Sequence, residues 1–288
     1  MPIVLNKPGI DELDAAVAAL RDWQYEGAPM QLHSGDLGWF RRFGAGAAAE
    51  AVRTWSRDGR VLAVGLLDGS ELLRLTMAPD LRRDEELTRR IVEDVVEPGR
   101  GVLKEGEVFV EAPADALLQD ALAEAGWNTD EAWTPLRRDL AEPVEDPGLR
   151  IEVVGPELVA VRTAVQRSAF ANSTFTEERW HAMAEGSAYA DARCLVAFDD
   201  AGEAVAVVTV WSAGPGKPGL LEPMGVHAGH RGRGHGKAIT VAGAAALREM
   251  GASSALVATT SANVGAVATY ASAGFEPRPE VRDRRRDA

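Results

Sequence analysis

Apolar positions along this chain alternate between two periods. A helical repeat opens at Glu12-Leu13, and after a turn at Asp58-Gly59 the run RVLAVGLL reads as one arm of a hairpin. Further on, the strand VFVEAP precedes a helix, ALLQDALAEAGW, that ends at Gly126-Trp127. The same succession then returns. A helix opens at Glu157-Leu158, a turn at Ala201-Gly202 leads into EAVAVVTVW, and the strand ALVATT precedes a helix ending at Gly274-Phe275. Four features in one order, about 145 residues apart, predict a tandem duplication whose length differences fall in surface loops. Between the copies, AEPVEDPGLR combines prolines, a glycine and acidic residues, so it reads as a linker. The predicted layout is a first domain over 1–140, a linker over 141–150 and a second domain over 151–288.

Composition narrows the class without changing that picture. With 288 residues, 46% of them hydrophobic and 26% charged, the chain is long enough for two cores of ordinary globular make-up. A formal net charge of -13 opposes nucleic acid and anionic lipid and favours a basic small molecule as visitor. Arg282, Arg284, Arg285 and Arg286 form a local exception, expected to be a solvated terminal run. The single cysteine, Cys194, lies in the apolar run CLVAF; it rules out an intramolecular disulfide framework and suits a reducing cytosol. No leader-like segment opens the chain and no window reaches membrane-spanning length, so a soluble cytoplasmic protein is expected.

The chemistry concentrates in LLEPMGVHAGHRGRGHGKAITVAGAAALREMG, residues 220–251, which reads as strand, loop and helix. Gly232, Gly234 and Gly236 alternate at the helix entrance. They let the backbone turn tightly and aim unpaired N–H groups at one point, where the helix dipole also favours an anion. Arg231, Arg233 and Lys237 add positive charge, so a pyrophosphate is the expected guest. Other phosphate loops match less well: Arg231 and Ala238 stand where a Walker A loop needs glycine and a hydroxyl, and Lys237 replaces the last glycine of a dinucleotide fingerprint. His227, His230 and His235 crowd the same loop, but the glycine spacing is better explained by phosphate than by metal, and no metal is expected.

Arg231, Gly234 and Gly236, in the spacing RxxGxG between a strand and a helix, resemble the coenzyme A motif of the GCN5-related N-acetyltransferase (GNAT) superfamily. A second segment, Asn263, Ala266, Tyr270 and Gly274-Phe275, is similar to that family's following helix. Over residues 150–280 the resemblance implies an α/β fold whose mixed, mostly antiparallel sheet is flanked by helices. Its fourth and fifth strands, here GLLEPMGV and SALVATT, would splay to admit the pantetheine arm. It further implies acetyl-CoA as cosubstrate. Arg231, Gly232, Arg233, Gly234, His235, Gly236 and Lys237 would hold its diphosphate, and the backbone of Met224, Gly225 and Val226 would meet the pantetheine and the acyl carbonyl. Tyr270 matches the family's acid toward the leaving thiolate. Glu222, two residues from Met224 on the same strand, is the candidate base. Asn263 either bonds the pantetheine arm or caps the helix that follows it.

The first copy lacks these features. Arg82 aligns with Arg231, but Arg83, Glu85 and Leu87 replace the three glycines, and Leu122 stands in place of Tyr270. Bulk and the negative charge of Asp84, Glu85 and Glu86 oppose a pyrophosphate there, so this copy is not expected to bind coenzyme A. The segment LHSGDLGWFRR, residues 32–42, reads as a packed turn in preference to an acceptor-cleft wall. The expected activity is acetyl transfer to a primary amine of a small molecule or peptide by direct attack, with a non-catalytic acyl-CoA sensor as the rival.

Overall fold

The predicted element order is realised twice in a computed structural model that describes residues 1–288. The first pass runs β1 (Val4–Asn6), α1 (Leu13–Asp22), α2 (Ser34–Phe40), α3 (Ala45–Ala51), β2 (Val52–Arg57), β3 (Arg60–Leu67), β4 (Leu72–Met77), α4 (Glu85–Val96), β5 (Val108–Glu111), α5 (Leu117–Glu124) and β6 (Asn128–Asp139). The second runs β7 (Arg150–Val153), α6 (Val159–Ala169), α7 (Glu177–Ala184), β8 (Ala192–Phe198), β9 (Ala204–Trp211), β10 (Pro218–Val226), α8 (His235–Glu249), β11 (Ser254–Thr260), α9 (Val264–Ser272), β12 (Glu276–Pro277) and β13 (Val281–Arg286). Residues 140–149 between them hold neither helix nor strand.

Local chemistry accounts for the pieces. Helix α1 buries Leu13, Ala16, Val17 and Leu20, one stripe at helical spacing. The β2–β3 hairpin turns at Asp58-Gly59, both with positive φ (53 and 79), the backbone that a tight two-residue turn demands. Strand β9 is buried on both faces, which is why AVAVVTVW reads as a nearly unbroken apolar run. None of the helices is long and apolar enough to cross a membrane.

The strands form one sheet in the order β1-β2-β3-β4-β5-β13-β6-β11-β10-β9-β8-β7, with β12 beside β6. Only β4–β5 and β10–β11 are parallel. The centre of that order shows an exchange: β6 leaves the first copy to pair with β11, from Ser254↔Asp139 to Thr260↔Trp133, while β13 leaves the second copy to pair with β5. The arginine run is therefore not a solvated tail. Arg284, Arg285 and Arg286 lie opposite Val110, Phe109 and Val108, and the Arg286 side chain donates to the carbonyls of Val96, Gly106 and Lys104. The charge run hid a strand because its partners are backbone groups of the other copy, which no local pattern reveals.

An apolar core is also shared: Leu20, Leu32 and Leu37 of the first copy pack in one cluster with Trp180, Val207 and Trp211 of the second. Separate cores lie under α8 and under α4 and α5. Helix α2 approaches β9 so closely that a Cβ on Gly35 or Gly38 would stand 2.5 or 2.3 Å from the Trp211 side chain. The segment read as a packed turn is thus a helix, packed through its two glycines.

Candidate active site

The glycine loop forms as its spacing predicts. Gly232 and Gly234 adopt positive φ (75 and 85), a Cβ at either would meet open space, and Gly234 caps α8. No backbone N–H from Arg231 through Lys237 is hydrogen-bonded within the chain; the first helical bond is Ala238 N to Gly234 O, 3.1 Å. Such a run of unmatched donors at the head of a long helix suits an anion. Gly236 serves packing instead, since a Cβ there would stand 2.9 Å from Thr269 of α9. Arg233 and Lys237 are exposed beside the loop. Arg231 turns the other way: its Nη2 donates to the carbonyl of Ala169, the last residue of α6, at 2.7 Å. The histidines build the loop itself, with His227 Nδ1 accepting from Gly229 N and the His230 ring between those of His227 and His235.

Strands β10 and β11 pair only from Pro218↔Ser254 to Leu220↔Leu256 and then diverge. Beyond that point the β10 edge facing β11 has no strand partner, whereas its other edge pairs Met224, Gly225 and Val226 with β9. A bulge between Leu221 and Met224 interrupts the β9 pairing and holds Glu222, whose carbonyl accepts from Trp211 Nε1 at 2.7 Å. Gly225 carries no side chain because Ala169 and Phe170 pack over it; a Cβ would stand 2.6 Å from that of Ala169.

The divergence opens into a cavity of about 320 Å³ lined by both copies, on which Glu222, Met224 and Tyr270 all face. The Tyr270 hydroxyl makes no hydrogen bond within the chain, and burial together with the Glu222 charge pushes it up to about 12. Asn263 caps α9, its Oδ1 accepting from Ala266 N at 3.1 Å, which favours the capping role over contact through that oxygen.

The fold adds residues that the sequence reading did not single out. Asp68, Arg74 and Glu111 of the first copy, with Trp133 of β6 and Asp283 of β13, line the same cavity. Arg74 lies between two carboxylates, its Nη1 2.8 Å from Asp36 Oδ1 and its Nε 2.7 Å from Glu111 Oε2. Asp36, on α2, is one of the charges that act on Glu222. Enclosure and the Asp36 charge push the Glu222 carboxyl well above the usual carboxylate range, offset in part by Arg74. Burial and nearby Glu111 raise Asp283 to about 7. None of these five residues belongs to a local motif; only the Asp36 segment, with its glycines and tryptophan, stood out in sequence.

The equivalent loop of the first copy is closed from within. The Asp84 carboxylate caps α4, accepting from Leu87 N at 2.7 Å, so the place of an external anion is taken by a side chain. Arg82 donates to Tyr25 Oη and Gln31 Oε1, in the segment between α1 and α2. Its position matches that of Arg231: in both copies this arginine ties the loop to the segment ending the first long helix.

The chain is similar to known proteins in sequence pattern and in fold. Residues 160–275 match the family model described as Acetyltransferase (GNAT) family. Among solved structures, a GCN5-related N-acetyltransferase from Sphaerobacter thermophilus is similar at TM-score 0.59 and 20% identity, over 99% of this chain and 95% of that one. A tandem GNAT protein from the clavulanic acid biosynthesis pathway is similar at TM-score 0.62 and 18% identity, over 99% and 98%. A GNAT-family acetyltransferase from Colwellia psychrerythraea is similar at TM-score 0.60 and 14% identity, over 99% and 98%. No curated protein matches the chain in sequence.

Proposed function

We propose that the protein transfers the acetyl group of acetyl-CoA to a primary amine by direct attack, since residues 160–275 match the GNAT acetyltransferase family model and the fold is similar to that of a tandem GNAT protein. The observation that carries this reading is continuity: the unmatched N–H groups from Arg231 to Lys237 adjoin the gap between β10 and β11, which ends at a cavity bearing Glu222 and Tyr270.

In this reading the loop amides hold the diphosphate, with Arg233 and Lys237 adding charge from the surface. Arg231 holds the loop against α6 through Ala169. The unpaired edge of β10 at Met224, Gly225 and Val226 offers backbone groups to the pantetheine amides and the thioester carbonyl. Glu222 takes a proton from the acceptor nitrogen as the new C–N bond forms, and Tyr270 gives its phenolic proton to the departing thiolate before solvent restores it. Amine and thioester are thereby converted to amide and free thiol, with no oxidant or metal in the balance. Asn263 supports α9 as its cap. The first copy binds no coenzyme A in this scheme, since Asp84 fills its anion position.

The test is calorimetric titration of the full chain with acetyl-CoA, followed by thiol release across a panel of primary amines. One site per chain and amine-dependent thiol release are expected. Absence of heat on titration would overturn the assignment. Binding without release on any amine would reduce the protein to a sensor.

A further inference from the structure

Four carboxylates line the cavity between the copies: Asp68, Glu111, Glu222 and Asp283. Glu111 is bound to Arg74, and Asp68 lies in an exposed turn. The other two sit where the strand ladder breaks. Glu222 lies in the bulge of β10, and Asp283 lies at the shift in register between Arg282 and Arg284 on β13. Such breaks re-aim a side chain out of the regular alternation of a strand. Asp283 belongs to the arginine run, yet none of those arginines pairs with it. Arg282 donates to the Asp130 carbonyl, Arg284 to Gln119 Oε1 and Arg286 to backbone carbonyls, while Arg285 pairs with Asp287. Between β13 and β10 in the sheet run β6 and β11, which contribute Trp133, Val257 and Ala258 to the cavity, so the stretch from one carboxylate to the other is apolar. Tyr270, only 7% exposed, lines the same space with its hydroxyl unbonded. A buried hydroxyl without a partner marks a place that a polar ligand enters.

We propose that the acceptor is a linear diamine: one nitrogen stands beside Glu222 and Tyr270 to be acylated, and a second ammonium, at the far end of an apolar chain, pairs with Asp283. The proposal rests on the assignment of the β10–β11 gap to the thioester. Neighbouring strands stand about 4.8 Å apart, so three steps across the sheet separate the two carboxylates, and an extended chain of several carbons spans them where a compact amine does not. Trp133, Val257 and Ala258 bury its methylenes. Burial and nearby Glu111 raise Asp283 to about 7 in the free protein; an ammonium at that carboxylate favours its charged form and offsets both. The net charge of -13 draws a dication toward the molecule and opposes an acceptor that carries a phosphate or carboxylate. Because β13 has crossed to pair with β5, the strand exchange that joins the copies also sets the far end of the acceptor site.

The experiment compares α,ω-diamines from propane to octane with the alkylamine and the amino alcohol of equal length, as acceptors for the full chain at saturating acetyl-CoA. For the best diamine, kcat/KM is expected to exceed that of both controls by about tenfold or more, the worth of one charge-assisted hydrogen bond. In Asp283→Asn this preference should vanish through a higher KM for the diamine, with kcat/KM for the alkylamine and the acetyl-CoA dissociation constant unchanged. Equal use of the diamine and either control by wild type, or an equal loss on all three in Asp283→Asn, overturns the proposal. If that variant does not fold, Asp283→Glu decides: its optimum should move to a shorter diamine, and an unmoved optimum overturns the proposal. Calorimetric titration of the same amines without acetyl-CoA keeps the two readings apart. A chain that binds the diamine more tightly than the alkylamine but does not bind acetyl-CoA loses the transferase assignment and keeps its diamine site; equal binding of the two amines removes the diamine site whatever the result with acetyl-CoA.

Discussion

Replacing Tyr270 by Phe removes one oxygen from the cavity wall and leaves the packing of α9 against Phe275 in place. If that phenol protonates the thiolate, kcat should fall by about a hundredfold or more while the acetyl-CoA dissociation constant stays put, a split that steady-state kinetics and calorimetry read together. A second residue controls stability instead. His33 is buried, its Nδ1 accepts from Gly35 N at 2.9 Å and its Nε2 lies 3.4 Å from the Pro218 carbonyl, and removal from water lowers it to about 4. The unfolded chain therefore binds the extra proton first as pH falls. Stability present above about 6.5 should decline down to about 4, by roughly 3 kcal/mol in all. His33→Asn retains a cap acceptor and should flatten this part of the Tm-versus-pH curve. Tyr270 was legible in sequence because its spacing from Gly274-Phe275 lies within one helix. His33, Asp36 and Arg74 carry no local signal, because their partners lie in separate elements, Pro218 of the other copy among them.

At the scale of the element, the glycine loop and α8 were readable for a physical reason: positive φ and close backbone approach restrict the residue type, so the structure leaves its mark on the sequence. Gly234→Val should strain that backbone by about 1–2 kcal/mol and obstruct the open side of the loop. An increase of at least tenfold in the acetyl-CoA dissociation constant is expected by calorimetry, with little change at the distant Glu222. Helix α2 shows the opposite case. Its glycines stand out in residues 32–42, but the pattern does not say that they seat a helix on Trp211 with Asp36 beside Arg74 of the cavity wall. Gly38→Val should collide with Trp211 and lower stability by about 1–3 kcal/mol, measurable as a fall in the denaturant midpoint.

Across the whole molecule, the duplication was visible because both copies repeat their hydrophobic periods, whereas the exchange of β6 and β13 was not. A strand's period says which face is buried but not whose sheet it completes. With a shared core and crossed strands, the two copies should unfold together, giving one calorimetric transition whose van't Hoff and calorimetric enthalpies agree. Two resolved transitions would show that the halves keep separate stability.

The crossed strands also change what the linker does. Each half already inserts its final strand beside the other's fifth, so residues 140–149 act as a tether and are not the joint itself. Severing the peptide there should yield a nicked molecule that stays assembled, and halves produced as separate polypeptides should complement one another on mixing, detectable as a one-to-one heterodimer by sedimentation.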